Sequence, residues 1–420
     1  MVLTAAFFPH PVHAAEKHTL SECIATALTN QPAIKAAREG VNAGHGRVTQ
    51  AASPYLPQLR ATTGYSESRS LGGALGDTIS KSYATSLSLN QMLYDFGKTG
   101  NTLEAARLGS RSTERDTERI VQEVILNVKQ SYYALLAARK LVAVSQKTLE
   151  QAESHQRQAE AFFHAGSKPK FDVTRTEVEV NSARLGLINA NNNVRIRTIA
   201  LYNAMGIDPG GPLDIDDVLA VPSAIPSFEQ AMEEAVRNRP EIIKSENDIA
   251  AAMARVKAEE SGYYPTLSAN GGYTWAHGTA EMGIFKGDIQ NSWNAGVSLS
   301  MPLFEGGLTK GKVGEARANM RALEAQGQTL RQSILMELNQ AYADIESATA
   351  RISVMGLSIK KARENLELAQ GRYEAGIGPY IEVTDAQVAS INAETDHVQA
   401  LYDYQLAAAR LVKAMGRVEQ

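Results

Sequence analysis

Residues 20–65 read LSECIATALTNQPAIKAAREGVNAGHGRVTQAASPYLPQLRATTGY, and residues 228–273 read FEQAMEEAVRNRPEIIKSENDIAAAMARVKAEESGYYPTLSANGGY. They are one unit written twice. Asn30-Gln31-Pro32 falls on Asn238-Arg239-Pro240 at a shift of 240 − 32 = 208, and Tyr55, Pro57, Leu59, Gly64 and Tyr65 fall on Tyr263, Pro265, Leu267, Gly272 and Tyr273. Outward from this stretch, one loop changes length by two and the shift becomes 210. It carries Leu93-Tyr94-Asp95 onto Leu303-Phe304-Glu305, Tyr132 onto Tyr342, Ala165-Gly166 onto Ala375-Gly376, and Ala204-Met205-Gly206 onto Ala414-Met415-Gly416. A period of roughly two hundred residues is far too long for a stacked solenoid, so the chain is a duplicated architecture.

The hydrophobic period changes along each copy. Residues 19–52 read as helix, with Ile24, Ala27, Leu28, Ile34, Ala37 and Val41 on one side. After Pro54 and Pro57 the pattern alternates: Leu59, Ala61, Thr63 and Tyr65 against Arg60, Thr62, Gly64 and Ser66. Past a Gly-rich stretch, Tyr83, Thr85, Leu87, Leu89 and Leu93 oppose Ala84, Ser86, Ser88 and Asn90. In the second copy Leu267, Ala269, Gly271, Tyr273 and Trp275 share a face, as do Trp293, Ala295, Val297, Leu299, Met301 and Leu303. Strands of about ten residues, apolar on one face and small and polar on the other, suit a tilted membrane-spanning hairpin. Tyr65, Tyr83, Trp275 and Trp293 are then candidates for an interfacial aromatic belt against outer-membrane lipid. A soluble half-buried sheet alternates in the same way.

The first repeat is expected over 19–206, with a β-hairpin at 57–95, a long helix at 98–165 and a helix at 172–205. The second is expected over 227–416, with a hairpin at 265–305, a long helix at 308–375 and a helix at 382–415. Each long helix would extend about 100 Å. The turns Gly166-Ser167-Lys168-Pro169 and Gly376-Ile377-Gly378-Pro379 end these helices, glycine serving a left-handed cap and proline following it. The helices on either side of each long one are about half its length, so end to end they would match it. Residues 207–226, rich in Pro, Gly and Asp, would link the repeats near mid-length.

The fold class that results is mostly α with a small transmembrane β part. Four strands per chain leave two bare edges, which lipid does not tolerate, and single-chain barrels need at least eight strands. Several copies must share one barrel, and the narrow apolar seams of the helices suit neighbours in a wall.

Composition sets further bounds. Aromatics are 6% of the 420 residues, which suits thin helical packing; the net charge of −4 with no basic block implies no nucleic-acid partner. No P-loop, nucleotide fingerprint or HExxH motif is present, so neither enzymatic activity, a cofactor nor a metal is expected. Residues 1–15 read as a residual signal segment, with Val12-His13-Ala14 at an export-type cleavage spacing. Cys23, preceded by Glu22 rather than a small residue, reads as a buried helix residue.

The duplicated plan resembles the TolC family of outer-membrane efflux and secretion ducts. So do the hairpin exits Leu93-Tyr94-Asp95-Phe96-Gly97 and Leu303-Phe304-Glu305-Gly306-Gly307, and Arg372-Tyr373-Glu374-Ala375-Gly376 followed by Glu382-Val383-Thr384-Asp385-Ala386. The resemblance implies a homotrimer with a twelve-stranded β-barrel continuous with an α-barrel tunnel through the periplasm. Its implied partners are a periplasmic adaptor, docking at the two turns, and an inner-membrane pump or ABC exporter. Asp172, Tyr373, Glu382 and Asp385 fall on positions that resemble the family's gate. Threefold repetition of Glu382 and Asp385 would ring the pore with carboxylates and favour cations; acids in a first helical turn also serve as helix-dipole partners. Where some members carry an arginine that locks the entrance, this chain has Gly378. The rival reading is a periplasmic coiled-coil scaffold whose strands form a soluble sheet.

Overall fold

The structure is a computed structural model that describes residues 18–70, 78–210, 213–216, 225–282, 285–288 and 291–417. The leader lies outside the described residues, as does the stretch 71–77 between the first two strands. The chain order is α1 (Leu20–Asn30), α2 (Pro32–Ala52), β1 (Gln58–Ser70), β2 (Thr78–Tyr94), α3 (Lys98–His164) and α4 (Lys170–Met205). It then repeats as α5 (Phe228–Asn238), α6 (Pro240–Glu260), β3 (Thr266–Met282), β4 (Phe285–Asp288), β5 (Ser292–Ser300), α7 (Leu308–Glu374) and α8 (Tyr380–Ala414). Both long helices have 67 residues. The protein is mostly helical, with one small antiparallel sheet.

The continuous helix expected over 19–52 is a correction. It divides at Gln31, whose backbone is extended (φ −60°, ψ 120°), and its counterpart divides at Arg239 in the same conformation. Pro32 and Pro240 force this, because a proline clashes with a helical residue before it and has no N–H to give. Thr19 and Ser227 cap α1 and α5 through reciprocal capping boxes with Glu22 and Gln230.

The chain forms two compact units, each built from both repeats. Among the described residues, the first comprises those within 18–37, 117–240 and 331–417. Its core joins Cys23, Ile24 and Ala27 of α1 to Val128, Tyr132 and Leu135 of α3 and Leu201 and Met205 of α4. The described part of the linker packs there: Leu213 and Ile215 are buried, and the Tyr132 hydroxyl donates to the Asp216 carbonyl at 2.9 Å. The duplicate tyrosine, Tyr342, donates to the Pro226 carbonyl at 2.7 Å. One phenol from each repeat thus holds one end of the connection between them.

The second unit comprises residues 38–116 and 241–330 and holds the sheet. Strand order is β1-β2-β3, with β4 and β5 both pairing with β3, all antiparallel. Strands β1, β2 and β3 have 13, 17 and 17 residues, longer than the ten expected. The described residues of the stretch 277–290 are all strand. Pairing of β5 ends at Ser300 rather than running on through Leu303, because Pro302 has no N–H for the ladder. Among the described residues, β1 and β5 have no partner on their outer edges.

Candidate functional site

Two places carry chemistry: the faces of the sheet and the turns between long and short helices.

In the sheet, register decides which side chains meet. Leu59 pairs with Leu89, Ala61 with Leu87, Thr63 with Thr85 and Tyr65 with Tyr83; Leu87 in turn pairs with Tyr273, Thr85 with Trp275, and Tyr273 with Trp293. One continuous face is therefore apolar and exposed, Trp293 at 75%. The opposite face is Ser82, Ala84, Ser86 and Ser88 beside Thr62, Gly64 and Ser66 and beside Gly272 and Thr274. Its hydroxyls pair across strands, Ser66 with Ser82 at 2.9 Å and Ser86 with Thr274 at 3.0 Å.

The four expected aromatics lie on the apolar face toward the strand ends away from the helices, spread over four residues of register: Tyr65 beside Tyr83, Trp275 beside Thr85, and Trp293 beside Tyr273, which itself pairs with Leu87. Tyr65 and Tyr83 have ring centroids 4.7 Å apart, and Tyr273 and Trp275 4.4 Å. Charges begin just beyond: the Tyr65 hydroxyl donates to Glu67, which pairs with Lys81 at 3.2 Å. A second aromatic level, which sequence reading missed, lies at the helix end of the strands. Tyr94 pairs with Leu267 on the apolar face and meets Phe96 at 4.8 Å; Phe96 stacks on Tyr264 at 5.2 Å; Tyr55 and Tyr263 are exposed nearby in sequence. From Tyr83 to Tyr94 is roughly 36 Å along a strand. At the usual tilt of about 45° that becomes about 25 Å, the height of an outer-membrane apolar band. No described helix is long and apolar enough to cross a membrane.

At the helix turns, four glycine caps have positive φ: Gly166 (71°), Gly376 (76°), Gly206 (70°) and Gly416 (74°). Gly166 N–H donates to Phe163 O and Ser167 N–H to Phe162 O; Gly376 N–H donates to Tyr373 O and Ile377 N–H to Arg372 O. Both long helices thus end in the same hydrogen-bonded turn. Lys168 lies over the Tyr373 ring, 4.7 Å from its centroid, and Ser167 donates to Phe162 O. Pro169 and Pro379 stand as the N-caps of α4 and α8.

Here the structure joins two of the expected gate residues. The Tyr373 hydroxyl, on a residue only 3% exposed, donates to Asp172 at 3.4 Å. Burial and the Asp172 carboxylate push this phenol up to about 12. A parallel and shorter bond was missed: the Tyr380 hydroxyl donates to Glu179 at 2.5 Å, and Thr384 donates to the same carboxylate at 2.9 Å. Burial, then the hydrogen bond to Glu179, pushes the Tyr380 phenol up strongly. Arg175 pairs with Glu179 at 3.6 Å. Both tyrosine–carboxylate pairs span 201 residues, and tyrosines and carboxylates are each seven apart; that spacing was the available signal.

The other two expected residues are not joined to this pair. Glu382 accepts from Arg372 at 3.0 Å, and this ion pair wraps Gly378, where an added Cβ would lie 3.1 Å from the Arg372 Cβ. Asp385 is exposed and makes no side-chain hydrogen bond or ion pair with a described residue.

His155 of α3 packs edge-on against Tyr380, with centroids 6.2 Å apart. The Gln370 amide meets its Nε2 at 3.1 Å, and its Nδ1 is buried without a partner among the described residues. Burial lowers its pKa, against the opposing pull of Glu179 and Glu374. The neutral ring is the one that fits, so its contribution is present above the ordinary value of about 6.5 and is lost as pH falls through the lowered one. With the base-catalysed intrinsic rate divided out, amide exchange at residues 160–172 and 370–385 should therefore quicken between pH 7.5 and pH 5. His155→Gln should abolish that acceleration, and an unchanged acid response in the variant would remove His155 from this role.

The outer membrane efflux protein family model matches residues 23–207 and again 231–417. Protein CyaE of Bordetella pertussis is 26% identical over 412 residues, 98% of this chain and 86% of that protein. Outer membrane efflux protein BepC of Brucella suis is 24% identical over 96% of this chain and 87% of its own length. Among solved structures, CusC superposes with a TM-score of 0.82 at 20% identity, covering 96% of this chain and 93% of CusC. The open state of the MtrE outer membrane channel of Neisseria gonorrhoeae superposes at 0.79 with 21% identity, covering 95% and 89%. With its two matched repeats covering most of its length, the chain belongs to the outer membrane efflux protein family.

Proposed function

We propose that three copies of this chain close into one barrel and form the passive exit duct of a tripartite efflux or type I secretion system. The observation that carries this is the sheet of four strand positions, β4 and β5 sharing one edge of β3, with two edges unpaired among the described residues and an apolar outer face that carries aromatics. Two copies would give eight strands, a barrel just wide enough for side chains to fill. The inner face is mostly serine, glycine, alanine and threonine, with Arg60, Asn90, Asn270 and Asn294 among them, and these small residues fill little, so twelve strands around an open lumen suit it better. The helices support the same reading. Phe171 (68% exposed), Val178, Leu185 and Ile199 of α4 form an exposed apolar seam at multiples of seven, which neighbouring copies would cover.

In this reading, no described helix spans lipid, so the helical part extends into the periplasm. The turns at Gly166–Pro169 and Gly376–Pro379 meet a periplasmic adaptor, and an inner-membrane pump or ABC exporter supplies energy and selects cargo. The tyrosine–carboxylate pairs latch the entrance. The test is extraction with detergent from the outer membrane, followed by electrophoresis with and without heating. A heat-sensitive trimer that conducts in planar bilayers is expected; a water-soluble monomer would instead favour the scaffold reading.

Asp385 provides the free carboxylate of the entrance ring, with Glu382 held by Arg372. Conductance should be cation-selective and blocked by multivalent cations from the periplasmic side. Asp385→Ala should remove most of the selectivity, and Glu382→Ala with Asp385→Ala the remainder. If reversal potentials in a salt gradient are unchanged in the double variant, the ring lies elsewhere.

A further inference from the structure

A recess of about 700 Å³ lies where the sheet meets the helices, lined among others by Phe96, Lys257, Glu260, Tyr264, Lys310 and Arg317. Its aromatic wall continues the lipid-facing band, since Tyr94 on that face touches Phe96 and Phe96 stacks on Tyr264. Its charge is unbalanced. Glu260 is taken by Arg317 at 2.7 Å, while Lys257 and Lys310 are exposed and make no ion pair with a described residue. Three cations against one carboxylate leave two positive charges beside an aromatic wall at the level where lipid headgroups begin.

Two comparisons within the chain separate this from fold maintenance. At the corresponding positions of the first repeat stand Thr49 and Gly100 in place of Lys257 and Lys310, and helices α2 and α3 form without those lysines. Phe96 has φ 51°, a conformation that favours glycine, and the second repeat has Gly306 there (φ 61°). Keeping a bulky ring in that backbone is strained. The ring so held is the one that walls the recess.

We propose that this recess binds the phosphate of an anionic phospholipid from the periplasmic leaflet of the outer membrane. The acyl chains lie along the apolar face between the two aromatic levels, and Lys257 and Lys310 meet the headgroup. The proposal rests on the membrane placement given above. Its test is the full-length oligomer in nanodiscs of equal dioleoyl phosphatidylglycerol and dioleoyl phosphatidylcholine, released and weighed by native mass spectrometry. The wild type should retain phosphatidylglycerol about tenfold over phosphatidylcholine. Lys257→Gln with Lys310→Gln should lose that preference, Tyr264→Ala should weaken it, and Lys360→Gln should keep it.

Equal retention by the double lysine variant and the wild type would overturn the site. Displacement of the lipid by millimolar inorganic phosphate would show a free-anion site and overturn the lipid assignment. Conductance measured on the same preparations separates the two readings: an oligomer that conducts but shows no lipid preference refutes only this site. A protein that neither inserts nor conducts refutes the duct reading, and this site with it.

Discussion

Tyr380→Phe should open the entrance, raising single-channel conductance at least tenfold, whereas Tyr373→Phe should do so only weakly. The two hydroxyls look equivalent by position, and bond length separates them. Tyr380 donates to Glu179 at 2.5 Å, in a site desolvated enough to push its phenol up strongly, while Tyr373 reaches Asp172 only at 3.4 Å. A good hydrogen bond to a charged group contributes about 2 kcal/mol, and one near the distance limit less than about 1. The phenylalanine ring keeps the packing against His155 and Tyr373, so the change tests the bond rather than the cavity. About 2 kcal/mol shifts a closed–open equilibrium roughly thirtyfold in one subunit, and more if three subunits open together. Glu179 stays satisfied by Thr384 and Arg175, so the variant should fold and assemble. Equal conductance of wild type and Tyr380→Phe, in oligomers of equal heat stability, would take the latch away from this residue. If Tyr373→Phe had the larger effect, the ranking by bond length would fail.

Much of the fold was legible in the sequence because it depends on local, periodic chemistry. Strand alternation and the glycine–proline punctuation of the long helices are short-range patterns, and the duplication writes each of them twice. The break before Pro32 was equally local, and was missed because apolar positions continue in helical register on both sides of it. What sequence could not show depends on contacts across long separations. Tyr380 meets Glu179 over 201 residues, and Arg239, only 2% exposed, pairs with Glu337 at 2.8 Å. The first repeat has Gln31 at that place, whose amide donates to the Asn203 and Ala204 carbonyls at the end of α4. One structural position is thus served by two chemistries, and alignment of the repeats gives no sign of it. The lower aromatic level was hidden for another reason. Tyr55, Phe96 and Tyr264 lie just outside the strands, where alternation has stopped, and register alone places Tyr94 on the apolar face.

The four glycine caps give the other large expected effect, because they share a backbone and differ in what surrounds it. With φ between 70° and 76°, each would strain any L residue by about 1–2 kcal/mol. At Gly166 and Gly376 an added Cβ meets nothing within 4 Å, so strain is the whole cost. At Gly206 it would lie 2.7 Å from Gln31 Cα and 2.9 Å from Gln31 N; at Gly416 it would lie 2.8 Å from both Arg239 N and Asn238 C. These obstacles are backbone, and they are the very breaks that Pro32 and Pro240 impose. They cannot swing aside as a side chain would, so the ends of α4 and α8 must lift off the kinks they seal. Overpacking adds about 1–3 kcal/mol per site, which brings Gly206→Ala with Gly416→Ala to roughly 4–10 kcal/mol in each chain. Gly166→Ala with Gly376→Ala should cost no more than about 4. The first pair should leave little or no heat-sensitive oligomer in the outer membrane, and any protein recovered should melt well below the wild type by circular dichroism. The second pair should assemble at close to wild-type yield, with any loss confined to export, under the adaptor docking proposed for the turns. Equal stability of the two double variants would mean that the α4 and α8 ends do not bear on the helix breaks, and the close packing at Gln31 and Arg239 would have to be abandoned.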